Sequence, residues 1–201
     1  MTEGKTATIG RPRTFCPDHA LEKALQVFWR KGYEGTSIAD LTAAMGINPP
    51  SLYAAFGNKE ALFRRALDRY EALHEANWRE ALDAPTAYEA IERLLMRSAL
   101  SLGDKRNPPG CLVVQAALCG GEECEPVKKE LAARRDASLG LIRERLKRAK
   151  REGDLPEDAD PASLARFVTT VLHGMAVQAT GGASRKELER VVATAMHAFP
   201  R

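Results

Sequence analysis

The chain has 201 residues, 44% of them hydrophobic, a formal net charge of +3 and a pI near 8.7. That length can bury one good core or two small ones, and so mild a basicity does not by itself indicate nucleic acid. The sequence has no run of 18 apolar residues, and Met1–Arg13 lacks the apolar stretch of a signal peptide, so a soluble, cytoplasmic protein away from membranes is expected.

The first 14 positions carry Lys5, Arg11 and Arg13 against one acid, Glu3, the most locally basic part of a balanced N-terminal third. Beyond them, strand signals are nearly absent. Apolar residues recur at three- and four-residue spacing almost throughout, which predicts an all-α fold. A first helix is expected from Pro17 to Lys31, with Leu21, Ala24, Leu25 and Phe28 on one face and Gly32 as its stop. A second starts at Ser37, where S-I-A-D reads as a capping box closed by Asp40. Its inner face is Ile38, Leu41 and Met45, and Gly46 ends it.

Pro49 and Pro50 follow at once, in the stretch GINPPSLYAAFG. Helix interiors reject proline, but the first two helical positions have no intrahelical partner for their N–H groups. With Asn48 as N-cap, the prolines therefore begin a short third helix carrying Leu52, Tyr53 and Phe56. Asn58 caps a fourth, which continues through Leu62, Leu67 and Leu73 towards Leu82. Only Gly46–Ile47–Asn48 separates the second helix from the third, the tight turn of a helix-turn-helix. On spacing alone two plainer readings stay open: a helical corner of any all-α domain, or prolines in a surface turn.

The run A-L-E-K-A-L-Q-V-F-W-R-K-G-Y-E-G-T-S-I-A-D-L-T-A-A-M-G-I-N-P-P-S-L-Y-A-A-F-G-N-K-E-A-L-F resembles the DNA-binding domain of the TetR family of transcriptional regulators. The shared features are G-Y-x-G-T-S before the second helix, G-I before the third, and S-L-Y-x-x-F-x-N-K-E-x-L. The resemblance is sharp over residues 14–74 and general afterwards. It implies a DNA-binding domain over 14–74, with its helix-turn-helix at 37–56, and a helical effector-binding and dimerisation domain over 75–201. It also implies that Ser37 and Lys59 contact phosphates, and that Ser51 and Tyr53 touch backbone and base edges, with Asn48, Pro49 and Pro50 at the same surface. Leu52 and Phe56 read as core. Two departures from the family pattern stand out, Pro49–Pro50 and Ala54–Ala55. The alanines can meet thymine methyls but cannot form bidentate hydrogen bonds, which gives shape readout a larger share. Arg11 and Arg13 are either a minor-groove arm or a solvated tail.

In the second half, Tyr88, Ile91, Leu94, Leu95 and Leu102 predict a fifth helix, ended by the loop 103–110. Cys111 to Leu118 is almost wholly apolar and reads as a buried helix. Val127 to Arg151 is long and amphipathic, its charges most simply a solvated face. Pro161–Ala179 and Ser184–Phe199 are expected as the last two helices, and the resemblance implies that they form a four-helix bundle with their twofold mates. Leu188, Val191, Val192, Ala195 and Phe199 make one stripe that a partner chain is expected to cover. The effector pocket implied by the family has Trp78, Met96, Cys111, Gln115, Phe167 and His173 as candidate lining, each also readable as ordinary core.

The four cysteines, Cys16, Cys111, Cys119 and Cys124, form no C-x-x-C pair and read as free thiols. Cys111 and Cys119 would lie about 12 Å apart along one helix, too far to bridge. Cys124, among Glu122, Glu123 and Glu125, is poorly placed to form a thiolate. The resulting expectation is a homodimeric repressor that binds pseudo-palindromic double-stranded DNA and is released by a small-molecule effector. No metal, cofactor or catalysis is expected. The alternatives are a thiol-responsive regulator of the same fold, and a small helical enzyme or ligand-binding protein without DNA binding.

Overall fold

The computed structural model describes residues 15–115 and 124–201, and among these it places nine helices and no strand. The first four are α1 (Pro17–Lys31), α2 (Ile38–Met45), α3 (Pro49–Phe56) and α4 (Lys59–Leu82). Then come α5 (Ala87–Leu102), a single turn α6 (Leu112–Gln115), α7 (Glu125–Arg151), α8 (Pro161–Thr180) and α9 (Arg185–Ala198). The boundaries follow the local chemistry of the sequence. Pro17, Pro49–Pro50, Pro126 and Pro161 all sit in the first two helical positions. Ser37 and Ser184 each close a full capping box, with Asp40 and Glu187 respectively. Arg11 and Arg13 lie outside the described residues, as does Cys119.

Two cores form. The first packs α1, α2, α3 and the N-terminal half of α4 around Leu25, Phe28, Leu41, Leu52, Leu62 and Phe63, all fully buried. Phe28 and Phe63 meet edge to face at 5.0 Å between ring centres, a contact whose truncation to alanine costs about 3–5 kcal/mol. Leu112, Val127 and Leu131 join this core from later in the chain. The second core is built from α5, α8, α9 and the C-terminal half of α7, and includes Ala81 near the end of α4. Helices α4 and α7 therefore each contribute to both cores. A further link is Trp29, whose buried Nε1 donates to Gly110 O at 3.0 Å. Gly110 is required there: its φ is 83°, and a Cβ would come within 2.2 Å of Gln115 Nε2 and 2.5 Å of Thr180 Oγ1.

Two expectations are corrected. The segment beginning at Cys111 is helical from Leu112 to Gln115, but only Leu112 is fully enclosed and the other three are half-buried; residues 116–118 lie outside the described residues. The stripe on α9 does not await a partner. Leu188, Val192, Ala195 and Phe199 are buried in the second core of their own chain, and only Val191 faces outward, at 41% exposure. The sequence pattern identified an apolar face correctly, but a single helix cannot tell which neighbour covers it; here that neighbour is α5, with α8.

Candidate nucleic-acid interface and internal cavity

The turn between α2 and α3 depends on Gly46, the α2 C-cap, at φ 67° and ψ 33°. A side chain there would meet no neighbour, so the left-handed backbone alone favours glycine. Asn48 Oδ1 then accepts from Ser51 N at 2.9 Å and starts α3. Leu52 and Phe56 are turned into the first core. The opposite side of α3 carries Asn48, Pro49, Pro50, Tyr53 and Ala54, all exposed, with Tyr53 at 50%. The end of α3 is held by Arg65 of α4, whose Nη1 donates to Ala55 O at 3.2 Å while its guanidinium lies 4.8 Å above the Phe56 ring.

Ser37 is exposed at the start of α2, with its polar atoms already engaged. Its Oγ accepts from Asp40 N at 3.0 Å and donates to Asp40 Oδ2 at 2.8 Å. The Asp40 carboxylate also receives Lys31 Nζ at 2.6 Å. The Lys31 ammonium, then the Ser37 N–H and hydroxyl, hold Asp40 well below the usual carboxylate range. Lys59, the first residue of α4, places its ammonium 4.4 Å over the Tyr33 ring. The face thus presents a helix N-terminus, a hydroxyl, an exposed phenol and a lysine fixed on an aromatic.

An internal cavity of about 640 Å³ lies among α4, α5, α6, α7 and α8. Trp78, Leu94, Leu141, Ile142 and Leu172 supply much of its apolar wall. Its polar side holds two histidines, His74 and His173, and burial lowers the pKa of both, assisted at His173 by the neighbouring Arg135 cation. His74 Nε2 is enclosed without a hydrogen-bond partner among the described residues, and its ring meets Tyr70 edge to face at 4.8 Å. Burial first, and the adjacent Cys111 thiol second, raise the Tyr70 hydroxyl above its ordinary pKa. At the wall, Arg134 joins two helices: it pairs with Asp68 and Glu71 of α4 and with Glu130 of its own helix α7.

The sequence matches the family model for bacterial regulatory proteins, tetR family, over residues 20–66. A second model, the tetracyclin repressor-like C-terminal domain, matches residues 87–195. The chain belongs to the TetR family. It is 33% identical over 195 residues to the HTH-type transcriptional repressor ComR of Escherichia coli strain K12, covering 95% of this chain and 92% of that protein. The HTH-type transcriptional repressor BdcR of the same strain is 31% identical over 198 residues, or 97% and 93% of the two chains. Among solved structures, a cysteine mutant of the TetR family transcriptional regulator CifR, complexed with 26-base-pair operator DNA, matches with a TM-score of 0.91 and 49% identity. That match covers 94% of this chain and all of the other.

With the TetR frame in place, the positions read from sequence can be located. Ser37, Asn48, Pro49, Pro50 and Tyr53 are exposed together on the helix-turn-helix, with Ser51 and Lys59 half-buried beside them. Trp78, Cys111 and His173 line the cavity. Met96, Gln115 and Phe167 are not part of its lining. Met96 packs against the second core, and Gln115 Nε2 donates to Pro109 O at 2.6 Å and Thr180 Oγ1 at 3.2 Å. Phe167 faces outward on α8 at 36% exposure. The sequence reading missed Tyr70, His74 and Arg134. They recur at four-residue intervals or sit among ordinary helix-face charges, and nothing in the local pattern marks them as facing a cavity. Cys124 is buried and its thiol donates to Glu34 Oε1 at 3.1 Å, whereas Cys16 is exposed. Among the described residues no group of His, Cys, Asp or Glu is arranged to hold a metal, and no helix is long and apolar enough to cross a membrane.

Proposed function

We propose that the chain is a transcriptional repressor that binds a pseudo-palindromic operator as a homodimer and leaves it when a small molecule occupies the internal cavity. The observation that carries this reading is the exposed face of α3 and the start of α4, on a chain 49% identical along nearly its whole length to a regulator solved on operator DNA. In this reading residues 14–74 bind DNA and residues 75–201 hold the effector and the dimer contacts. The two family matches, 20–66 and 87–195, fall on either side of that division. Ser37, Ser51 and Lys59 meet the phosphate backbone and fix register, while Tyr53 and Ala54 approach base edges. Ser37 reaches a phosphate by turning its hydroxyl away from Asp40; the free N–H groups of the first turn of α2 need no rearrangement.

The outer faces of α8 and α9 support the dimer. Phe167, Val177 and Val191 are large, apolar and exposed at 36%, 55% and 41%, and they lie on the two helices assigned to the twofold contact. Two recognition helices held by one dimer act at a high effective concentration on paired half-sites. The release step needs only that the effector bind better to the conformation that fits DNA worse.

A gel shift with DNA from around the chain's own gene tests the reading. A discrete complex that survives excess non-specific DNA and is lost with Tyr53→Ala supports it, and binding that non-specific DNA removes completely defeats it. Cys111 in the cavity wall favours one variant of the reading, a thiol that responds to the effector. Release that survives Cys111→Ser rules that variant out.

A further inference from the structure

Helix α7 ends in R-E-R-L-K-R-A-K-R, residues 143–151, with six cations and one carboxylate. As a sequence this is a solvated helix face, and most of it behaves so: Glu144 is exposed and pairs with Lys147 at 2.9 Å and Arg143 at 3.9 Å. Arg145 departs from the pattern. It is 5% exposed, and donates from Nε to Leu82 O at 2.8 Å and from Nη2 to Ala84 O at 2.9 Å, closing the corner between α4 and α5.

Those bonds explain why Arg145 is turned inward, but they leave one group unspent. Its Nη1 is enclosed and donates to no group among the described residues. The same holds for Nε of Arg148, one turn further on, whose carboxylate neighbour Glu152 is 3.9 Å away and beyond hydrogen-bond reach. Arg145, Arg148 and Arg151 line one cleft of about 320 Å³, together with Asp83, Glu144 and two leucines. An enclosed guanidinium with an unmet N–H, as at Arg145, is costly, and the like charge of the part-exposed Arg148 beside it adds to that cost. Burial first, and Arg148 next, disfavour the Arg145 cation; Asp154, Glu152 and Asp83 partly compensate.

We propose that this cleft is an oxyanion site, in which Arg148 and Arg151 grip a phosphate or carboxylate group against Arg145. Planar guanidinium forks match the paired oxygens of such groups and add strength because the contacts are charge-assisted. Asp83 and Glu144 also line the cleft, so selection rests on fork geometry rather than on net charge. The cleft adjoins the internal cavity, sharing Leu82, Asp83 and Leu141 with its lining, but holds none of the recognition-face residues. It fits a small anion.

Isothermal titration of the full chain with inorganic phosphate, phenyl phosphate and benzoate, in chloride buffer at fixed ionic strength, tests this. The expected result is saturable binding of one anion per chain, weakened at least about tenfold in the double variant Arg148→Met, Arg151→Met. Arg148→Lys, which keeps the charge and loses the fork, is expected to fall between the two. Equal affinity for phosphate and its phenyl ester points to the free ion, and tighter ester binding to a phosphorylated metabolite. If the double variant fails to fold by circular dichroism, Arg151→Met alone decides, because that side chain is exposed. Heat that does not saturate with any of the three, or affinity unchanged in the folded variants, overturns the site.

Discussion

The N-terminal core and the cavity of this chain use their polar groups in opposite ways. In the core, aromatic and aliphatic side chains fill the interior, and the polar residues of α2 and α3 either cap a helix or point outward. Around the cavity, polar groups are kept inside: His74 with no partner for its Nε2 among the described residues, His173 beside Arg135, and Arg134 pinned by three carboxylates at the wall. A region that must present one fixed surface gains from a filled core and saturated caps. A region that must take in a ligand keeps space and unspent hydrogen-bonding capacity, at a cost in stability. Variants that separate these two uses test the comparison.

The largest effect is expected at Val192. It is 1% exposed inside the C-terminal core, so Val192→Asp places an unpaired charge there and costs about 3–5 kcal/mol, a large share of a typical domain's stability. Thermal melting by circular dichroism is expected to show a steep loss or an insoluble protein. Its neighbour Val191 is 41% exposed, and Val191→Asp is expected to melt as wild type does while eluting as a monomer in light-scattering chromatography. A Val191→Asp variant that stays dimeric removes α9 from the proposed contact, and a stable Val192→Asp variant contradicts the packing.

Next comes Tyr53. Its side chain is half exposed and outside the core, so Tyr53→Ala is expected to change stability by no more than about 0.5 kcal/mol. Operator affinity is expected to fall by at least tenfold, about 1.4 kcal/mol, measured by fluorescence anisotropy. Unchanged affinity in a folded variant sinks the assignment of the recognition face. Lys59→Ala is expected to act more weakly and differently, lowering affinity evenly across sequences and reducing the salt slope by about one unit. If its loss depends strongly on the base sequence, Lys59 is not a phosphate contact.

How much of this was legible in advance follows the same division. Ser37, Gly46, Asn48 and Pro49–Pro50 shape the backbone within a few residues of themselves, so capping chemistry located the helix-turn-helix almost to the residue. The cavity depends on side chains from five helices far apart in sequence, and three of six expected lining residues fell elsewhere. Phe167 illustrates the cause. A large apolar side chain on an amphipathic helix can face the core, a cavity or a partner, and periodicity does not distinguish them; this one faces outward. Arg145 is the reverse case, a charge read as solvated that closes a buried corner through backbone carbonyls more than 60 residues away.

The smallest effect is expected from pH, through the two cavity histidines. Burial depresses the pKa of His74 and, with help from Arg135, that of His173, below the ordinary value of 6.5. The unfolded chain therefore takes up protons near pH 6.5 while the folded chain does not. Over that window the unfolded state binds more protons, so stability rises with pH and is lost as pH falls from about 6.5 towards the depressed folded values. Replacing both imidazoles by glutamine, His74→Gln with His173→Gln, removes these two groups from the balance. Urea midpoints followed by tryptophan fluorescence between pH 5 and pH 7.5 are expected to show a shallower pH dependence for the double variant, while above pH 7 the variant's offset from wild type stays constant. The residual slope then belongs to other groups. If wild type and variant run parallel across the whole window, the two imidazoles protonate as easily folded as unfolded, and the cavity is wetter than its walls suggest.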